Sequence, residues 1–182
     1  MDYNPRLETK RLILRKITTE DKTDLFDLLT NSQIDKKMVW DHLNEMDEIN
    51  EYINEINISY ENNQPSCFGI ELKETKKLIG VINFINYKEE SHTLETHYML
   101  LPKHHSKGIT TEALLKIINF VFAKTDINRI EAFCLKMNRA AGKVLDKAGM
   151  HLEGVLREKI FINEEFVDLK LYSILKSDIQ YG

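Results

Sequence analysis

Residues 95–113 read ETHYMLLPKHHSKGITTEA, where an apolar strand pattern passes through a polar loop into a helical pattern. A loop that turns directly from strand to helix leaves several backbone N–H groups unpaired and pointing one way, and the helix dipole adds positive potential there. Gly108 would let the backbone approach a ligand closely, and the turn carries basic side chains, namely Lys103, His104, His105 and Lys107. Such a loop can hold a pyrophosphate. A Gly and a Lys at a helix start also fit plain turn chemistry, and the Walker and Rossmann fingerprints are both absent.

Periodicity on either side of this loop predicts the remaining elements. Alternating or continuous apolar runs predict strands at 6–17, 66–73, 78–87, 92–101, 129–136, 150–162 and 166–176. Apolar residues at three- and four-residue steps predict helices near 18–31, 46–60, 109–124 and 138–148. The order β-α-α-β-β-β-α-β-α-β-β predicts an α+β fold with one sheet and helices packed against it.

The composition describes one ordered domain over residues 1–182. Hydrophobic residues make up 42% of the chain, with only seven Gly and three Pro, so it can bury a large core without metal or disulfide staples. The formal charge of -4 argues against general nucleic-acid binding. The sequence has neither a signal-peptide profile nor an apolar run near the ~18 residues of a membrane span. We therefore expect a cytoplasmic protein with no membrane partner. The cysteines, Cys67 and Cys134, lack metal-site spacing, so we expect buried free thiols and no metal.

Three further blocks carry motifs. The run 138–150 reads NRAAGKVLDKAGM, the run 9–15 reads TKRLILR, and the tail has EGVLRE at 153–158 followed by Asn163, Asp168 and Tyr172-Ser173. Together with residues 95–113, these blocks resemble the GCN5-related N-acetyltransferases (GNAT) and, within them, the RimJ/RimL branch. The resemblance covers essentially the whole chain.

That resemblance implies a mixed, mostly antiparallel, seven-stranded sheet flanked by four helices. The fourth strand would splay away from the fifth, and the pantetheine arm of acetyl-CoA would lie in the gap, bonded to main-chain groups of Tyr98 and Leu100. The Asn138 side chain would reach the pantetheine, or would serve only as a helix cap. The loop residues His105, Ser106, Lys107, Gly108, Ile109, Thr110 and Thr111 would face the pyrophosphate, with Lys143 adding positive charge. His105 and Thr110 depart from the family's loop, and we expect both departures to be tolerated because the binding groups are mostly backbone N–H.

The resemblance leaves the catalytic side chains open. We expect direct attack by the amine rather than an acyl-enzyme, with the Tyr98 amide stabilising the developing oxyanion. Some RimJ/RimL enzymes carry a Ser at the position of Ala141 and a carboxylate at that of Ile160, and neither group is present here. The nearest acids are Glu158, which shares strand parity with Ile160, and Glu95, which would need a bulge to turn inward. Each is a candidate catalytic carboxylate, and each also fits a solvated carboxylate on a strand.

Two aromatic side chains are candidates for the acceptor pocket. His97 replaces a small Gly of the family pattern, and its imidazole either fills that pocket, acts as a base near neutral pH, or simply packs. Trp40 lies where relatives place an aromatic over the acceptor, and ordinary packing explains it equally well. Both are predicted as substrate-binding residues.

The implied function is that of an acetyl-CoA-dependent N-acetyltransferase. We expect the acceptor to be the α-amine of a protein such as a ribosomal protein. One alternative is an enzyme acting on a small-molecule amine, such as a polyamine, an amino acid or an antibiotic. Another is a module that binds acyl-CoA without turning it over. The sequence leaves monomer and homodimer open.

Overall fold

The computed structural model describes residues 2–31, 45–162 and 164–179. Its sheet has eight strands in the spatial order β1-β2-β3-β4-β5-β6-β8-β7. The strands are β1 (Leu7–Glu8), β2 (Leu12–Arg15), β3 (Cys67–Leu72), β4 (Lys77–Lys88), β5 (Thr93–Leu100), β6 (Arg129–Leu135), β7 (His151–Ile162) and β8 (Glu165–Leu175). The helices of the described ranges are α1 (Lys22–Leu29), α2 (Met46–Glu61), α3 (Ile109–Lys124) and α4 (Arg139–Lys147). This arrangement confirms the predicted α+β fold and the predicted element order.

The count of seven strands is wrong because the first predicted strand folds back on itself. Residues 6–17 form two short strands paired in antiparallel fashion, with Leu7 opposite Leu14 and Glu8 opposite Ile13. The turn between them is closed by the Thr9 amide, which donates to the Leu12 carbonyl at 3.0 Å. Alternation of apolar residues predicts extended backbone but does not reveal a tight turn inside it.

Each face of the sheet carries its own core, although the edge strand β7 has no buried residue. Apolar side chains of α3 and α4 pack on one face, where Leu94 and Leu100 of β5 join them. Apolar side chains of α1 and α2 pack on the other face, where Met99 of β5 and Leu101 join them. The strand β5 therefore points its even-numbered side chains at α3 and α4 and its odd-numbered side chains at α1 and α2.

The cysteines are buried free thiols, as the sequence predicts. Burial raises the pKa of both Cys67 and Cys134, so neither is a ready nucleophile. Within the three described ranges, no three His, Cys, Asp or Glu side chains lie close enough together to hold a metal ion. No helix in the same ranges is long and apolar enough to cross a bilayer.

Candidate active site

The strands β5 and β6 separate from one another and leave an open gap in the sheet. Their parallel pairing runs only from Thr93 opposite Arg129 to Glu95 opposite Glu131. Beyond that point β5 stays paired with β4 and β6 stays paired with β8. The predicted splay is therefore confirmed, and with the extra strand at the start of the chain it falls between the fifth and sixth strands.

Backbone groups of the even-numbered β5 residues face this gap. The Leu101 amide donates to the Ile79 carbonyl at 2.9 Å, which turns the backbone groups of the odd-numbered residues toward β4. The His92 carbonyl accepts hydrogen bonds from two amides at the start of β6, so the even-numbered set points the other way. The parallel bridge between Glu95 and Glu131 uses the Thr96 N–H, so Tyr98 is the first residue of the even-numbered set whose backbone N–H is directed into the open gap. The Leu100 carbonyl already accepts a hydrogen bond from the His105 ring Nε2 at 2.7 Å.

The loop after β5 presents a row of unpaired amides. Ser106 and Gly108 both have left-handed backbone, with φ of 59° and 71°, and Gly108 is the N-cap residue of α3. The first intrahelical bond of α3 is donated by the Glu112 amide to the Gly108 carbonyl at 3.0 Å. Within the described part of the chain, no group accepts a hydrogen bond from the N–H groups of 106–111. These amides and the positive end of the α3 dipole together give a geometry suited to an anion such as a pyrophosphate.

Sequence reasoning missed two residues that anchor this loop. The Arg11 guanidinium donates from Nη1 to the Lys107 carbonyl at 2.8 Å and from Nε to Glu112 Oε2 at 2.7 Å. Glu112 Oε1 also accepts from the Arg11 amide at 3.0 Å and from the Thr9 hydroxyl at 2.5 Å. Arg11 lies in the TKRLILR block, but no sequence signal links it to a loop that lies almost a hundred residues further along the chain.

The start of α4 lines the gap from the side of β6. Asn138 is the N-cap of α4, and its Oδ1 accepts a hydrogen bond from the Ala141 amide at 3.1 Å. The Tyr98 hydroxyl donates to the Ala141 carbonyl at 3.2 Å, so a side chain of β5 reaches α4. Lys143 is exposed on the same helix. The cap is thus a structural fact, and the Nδ2 of Asn138 is the group that would reach a pantetheine.

A polar cluster lies on the opposite face of β5, among side chains that face α1 and α2. The Glu95 carboxylate is 2.5 Å from His97 Nε2, and its other oxygen accepts from Asn86 Nδ2 at 2.8 Å. Both side chains are largely buried, with exposed fractions of 15% for Glu95 and 11% for His97. Burial raises the pKa of Glu95, but the hydrogen bonds from His97 and Asn86 outweigh it, and the net pKa lies below the ordinary value of 4.5. The two-residue spacing places both side chains on one face of a strand, which is the signal that could have predicted this pair.

No bulge turns Glu95 toward the side chain of Tyr98. The register of β4 and β5 is regular from Glu95 to Leu100, and the bulge lies on β4 between Ile85 and Lys88. Glu95 therefore faces away from α3 and α4, while its neighbour Tyr98 faces toward them. Any contact of the Glu95 carboxylate with a substrate must therefore occur on the α1 and α2 side of the sheet.

The second carboxylate, Glu158, lies in a different environment. The register of β7 and β8 skips between Leu156 and Ile160, and the chain between them bulges, with a left-handed Glu158 at φ 51°. The Glu158 amide donates to Asp168 Oδ1 at 2.9 Å, and its side chain is exposed. Side chains do not alternate regularly between the two faces of the sheet within this bulge. The spacing from Ile160 therefore does not tell on which face the Glu158 carboxylate lies. The other predicted acceptor residue, Trp40, lies outside the described residues.

A mixed sheet that opens beside a loop of unpaired amides combines a cleft with an anion-binding turn. The chain belongs to the GNAT acetyltransferase family, since a family model described as "Acetyltransferase (GNAT) domain" matches residues 11–151. It is accordingly an N-acetyltransferase, and the resemblance seen in the sequence is confirmed.

Individual relatives agree with this assignment. The uncharacterized N-acetyltransferase YoaA of Bacillus subtilis (strain 168) is 31% identical over 172 residues, covering 94% of this chain and 97% of its own. The [ribosomal protein uS5]-alanine N-acetyltransferase of Escherichia coli (strain K12) is 27% identical, covering 95% of this chain and 92% of its own. The crystal structure of spermidine N-acetyltransferase from Vibrio cholerae, in complex with CoA and spermine, superimposes with a TM-score of 0.82 at 24% identity, covering 93% of this chain and 98% of its own. The last comparison supports the fold alone.

Proposed function

We propose that the protein transfers an acetyl group from acetyl-CoA to the N-terminal α-amine of a protein of the ribosomal-protein type. The observation that carries the proposal is that two features occur side by side. The 106–111 amides are unpaired, and the sheet next to them has an open gap that the Tyr98 N–H faces. The acceptor class is supported by a relative of almost the same length, which acts on the alanine of ribosomal protein uS5.

In this proposal the cofactor residues act mainly through their backbone. The amides of Ser106, Lys107, Gly108, Ile109, Thr110 and Thr111 hold the pyrophosphate, while Tyr98 and Leu100 bond the pantetheine arm in the gap. In the free protein the His105 ring donates a hydrogen bond to the Leu100 carbonyl, which the pantetheine would replace. The exposed Lys143 adds positive charge near the opening of the gap. The residues present fit acetyl-CoA, because an unpaired amide row and an unpaired strand edge are the two surfaces that this elongated thioester requires.

Acetyl transfer requires a hydrogen-bond donor to the developing oxyanion and a group that removes the amine proton. The Tyr98 N–H, fixed by the strand and free of a strand partner, would stabilise negative charge on the thioester carbonyl as the amine attacks. The C–N bond forms, the C–S bond breaks, and the CoA thiolate leaves and takes a proton from water. Glu95, held by His97 and Asn86, is the carboxylate that we assign to the acceptor side, where it attracts the protonated amine and takes up its proton directly or through water. Trp40 and His97 are proposed to contact the acceptor, and Glu158 remains a second candidate carboxylate.

A specific observation keeps one other acceptor class in view. The structural neighbour that binds CoA and spermine is a spermidine N-acetyltransferase, and an ionised, largely buried carboxylate such as Glu95 would suit a polyamine as well as an α-amine. A module that binds acyl-CoA without turnover is the non-enzymatic alternative within the same fold.

The test is release of free CoA thiol from acetyl-CoA, measured with a panel of amines. The panel contains peptides that begin with Ser, Ala or Met, together with spermidine and aminoglycosides, and peptides with acetylated N-termini are the blank. We expect the highest kcat/KM with one of the free peptides. Preference for spermidine or an aminoglycoside would overturn the protein-acceptor assignment. Absence of thiol release with every amine, despite tight CoA binding, would leave only the binding module.

Asn138 supplies a prediction that separates capping from ligand binding. Asn138→Ala should cost about 1 kcal/mol of folding stability, because the bond to the Ala141 amide is lost, and about 1 to 2 kcal/mol of CoA binding, because Nδ2 can no longer donate to the pantetheine. Asn138→Asp is the matched control, since a carboxylate keeps the cap but has no Nδ2 donor. We expect Asn138→Asp to retain the melting temperature and to lose CoA affinity in calorimetric titration. Parental CoA affinity in Asn138→Asp would show that Asn138 is a cap only.

A further inference from the structure

Arg11 and Glu112 form a clamp that ties the anion-binding loop to the amino-terminal hairpin. The Arg11 guanidinium bonds the Lys107 carbonyl at 2.8 Å and Glu112 Oε2 at 2.7 Å with two of its three nitrogens. Its third nitrogen, Nη2, lies 3.7 Å from the point that a Cβ on Gly108 would occupy. Nη2 is therefore the guanidinium nitrogen nearest to Gly108, and it donates no hydrogen bond to any of the described residues.

The partner of Arg11 is an acid in an unfavourable place for anion binding. Glu112 belongs to the first turn of α3, directly after the unpaired amides. Burial raises its pKa, but hydrogen bonds from Thr9 and from the backbone and side chain of Arg11 outweigh burial and lower it, so Glu112 is ionised at neutral pH. A carboxylate here favours the helix but repels a pyrophosphate on the same helix start. The positive charge of Arg11 at 2.7 Å cancels that repulsion.

We propose that Arg11 is a binding and positioning residue for the pyrophosphate of acetyl-CoA, acting by a hydrogen bond from its free guanidinium edge, by bracing the Lys107 carbonyl, and by neutralising Glu112. The proposal rests on the proposed function for the identity of the anion. It adds to that function a charged residue from the opposite end of the chain. Guanidinium suits this role because its planar donors can serve two protein acceptors and a phosphate together, which a lysine ammonium does with less geometric precision.

The experiment measures the dissociation constants of CoA and dephospho-CoA by calorimetry, and kcat/KM with acetyl-pantetheine, which has no pyrophosphate. For Arg11→Gln we expect CoA to bind about 30-fold more weakly, since a charge-assisted contact is lost while Glu112 becomes an uncompensated charge. The double variant Arg11→Gln/Glu112→Gln should recover to within about fivefold of the parent, because the repulsion is removed with the acid. The loss in Arg11→Gln should persist with dephospho-CoA and disappear with acetyl-pantetheine.

Two further variants complete the design. Arg6→Gln is the matched control, because Arg6 is an exposed arginine of the same hairpin region that pairs with Glu8, and CoA should bind it like the parent. Arg11→Lys, which keeps the charge but not the fork, should show an intermediate loss and provides the test if Arg11→Gln fails to fold.

The proposal is overturned by any of three results. Arg11→Gln could bind CoA like the parent, or the loss could vanish with dephospho-CoA, which would place the contact at the 3′-phosphate. If Arg11→Gln lowered acetyl-pantetheine turnover as much as turnover with acetyl-CoA, and also lowered the melting temperature, Arg11 would have only a structural role. Failure of the parent protein to bind CoA at all would instead overturn the proposed function.

Discussion

Gly108→Val is expected to weaken CoA binding by about 100-fold or more. The residue has φ of 71°, in the left-handed region that a β-branched side chain avoids at a cost of roughly 1 to 2 kcal/mol. Space is not the obstacle, since the nearest atom to an added Cβ is Arg11 Nη2 at 3.7 Å. Valine would instead turn the backbone and move the amides that face the anion, which adds the loss of hydrogen bonds to a charged group at about 1.5 to 3 kcal/mol.

Calorimetric titration of CoA tests this expectation against two controls. Gly108→Asn tolerates the left-handed conformation and should lose much less affinity. His105→Ala should also have a smaller effect, because the His105 ring bonds the Leu100 carbonyl and the loop amides remain in place. If Gly108→Val binds CoA like the parent, the loop does not hold the pyrophosphate.

Glu95→Gln is expected to lower kcat by about 100-fold, the usual contribution of a positioned acid or base, with CoA affinity unchanged. The carboxylate is held by His97 and Asn86 and largely excluded from water, whereas Glu158 is exposed in a bulge. From strand parity alone, we would expect Glu158→Gln to lose more activity than Glu95→Gln. With the bulge and the exposure of Glu158 taken into account, we expect the reverse order.

The pH dependence gives the second part of this test. Because hydrogen bonding holds the pKa of Glu95 below 4.5, its carboxylate is ionised throughout neutral pH, and its contribution is lost only as the pH falls through that lowered value. The rate of the parent should therefore rise toward alkaline pH with deprotonation of the amine, and Glu95→Gln should shift the whole profile downward without changing its shape. Equal kcat in Glu95→Gln, Glu158→Gln and the parent would leave proximity and the Tyr98 amide as the whole mechanism.

Much of the site can be predicted because the relevant signals are local. The Gly108 turn, the helix that follows it and the Asn138 cap each depend on a few consecutive residues, and backbone stereochemistry fixes what such residues can do. The amides from Gly108 to Thr111 are free for the same reason, since a helix start always leaves its first N–H groups without intrahelical partners. In the structure these features lie at the predicted positions.

Other features depend on register, which no local pattern specifies. Between Leu156 and Ile160, β7 takes four residue steps against two on β8, so parity does not set the face of Glu158 inside this bulge. Regular pairing from Glu95 to Leu100 keeps Glu95 on the α1 and α2 side. Parity arguments hold only while the strand alternates regularly.

Periodicity and short motifs are enough to predict the order of the helices and strands, the loop of unpaired amides before α3 and the membership of the GNAT family, because they are properties of neighbouring residues. Only the folded chain shows that residues 6–17 form a hairpin, since alternation does not reveal the turn, and that Arg11 meets Glu112 and the Tyr98 hydroxyl meets Ala141. The last two contacts join residues far apart in the chain. They exist because the sheet and its two cores bring the segments together, and burial of apolar side chains, which drives that packing, is not specific to any one pair of polar partners.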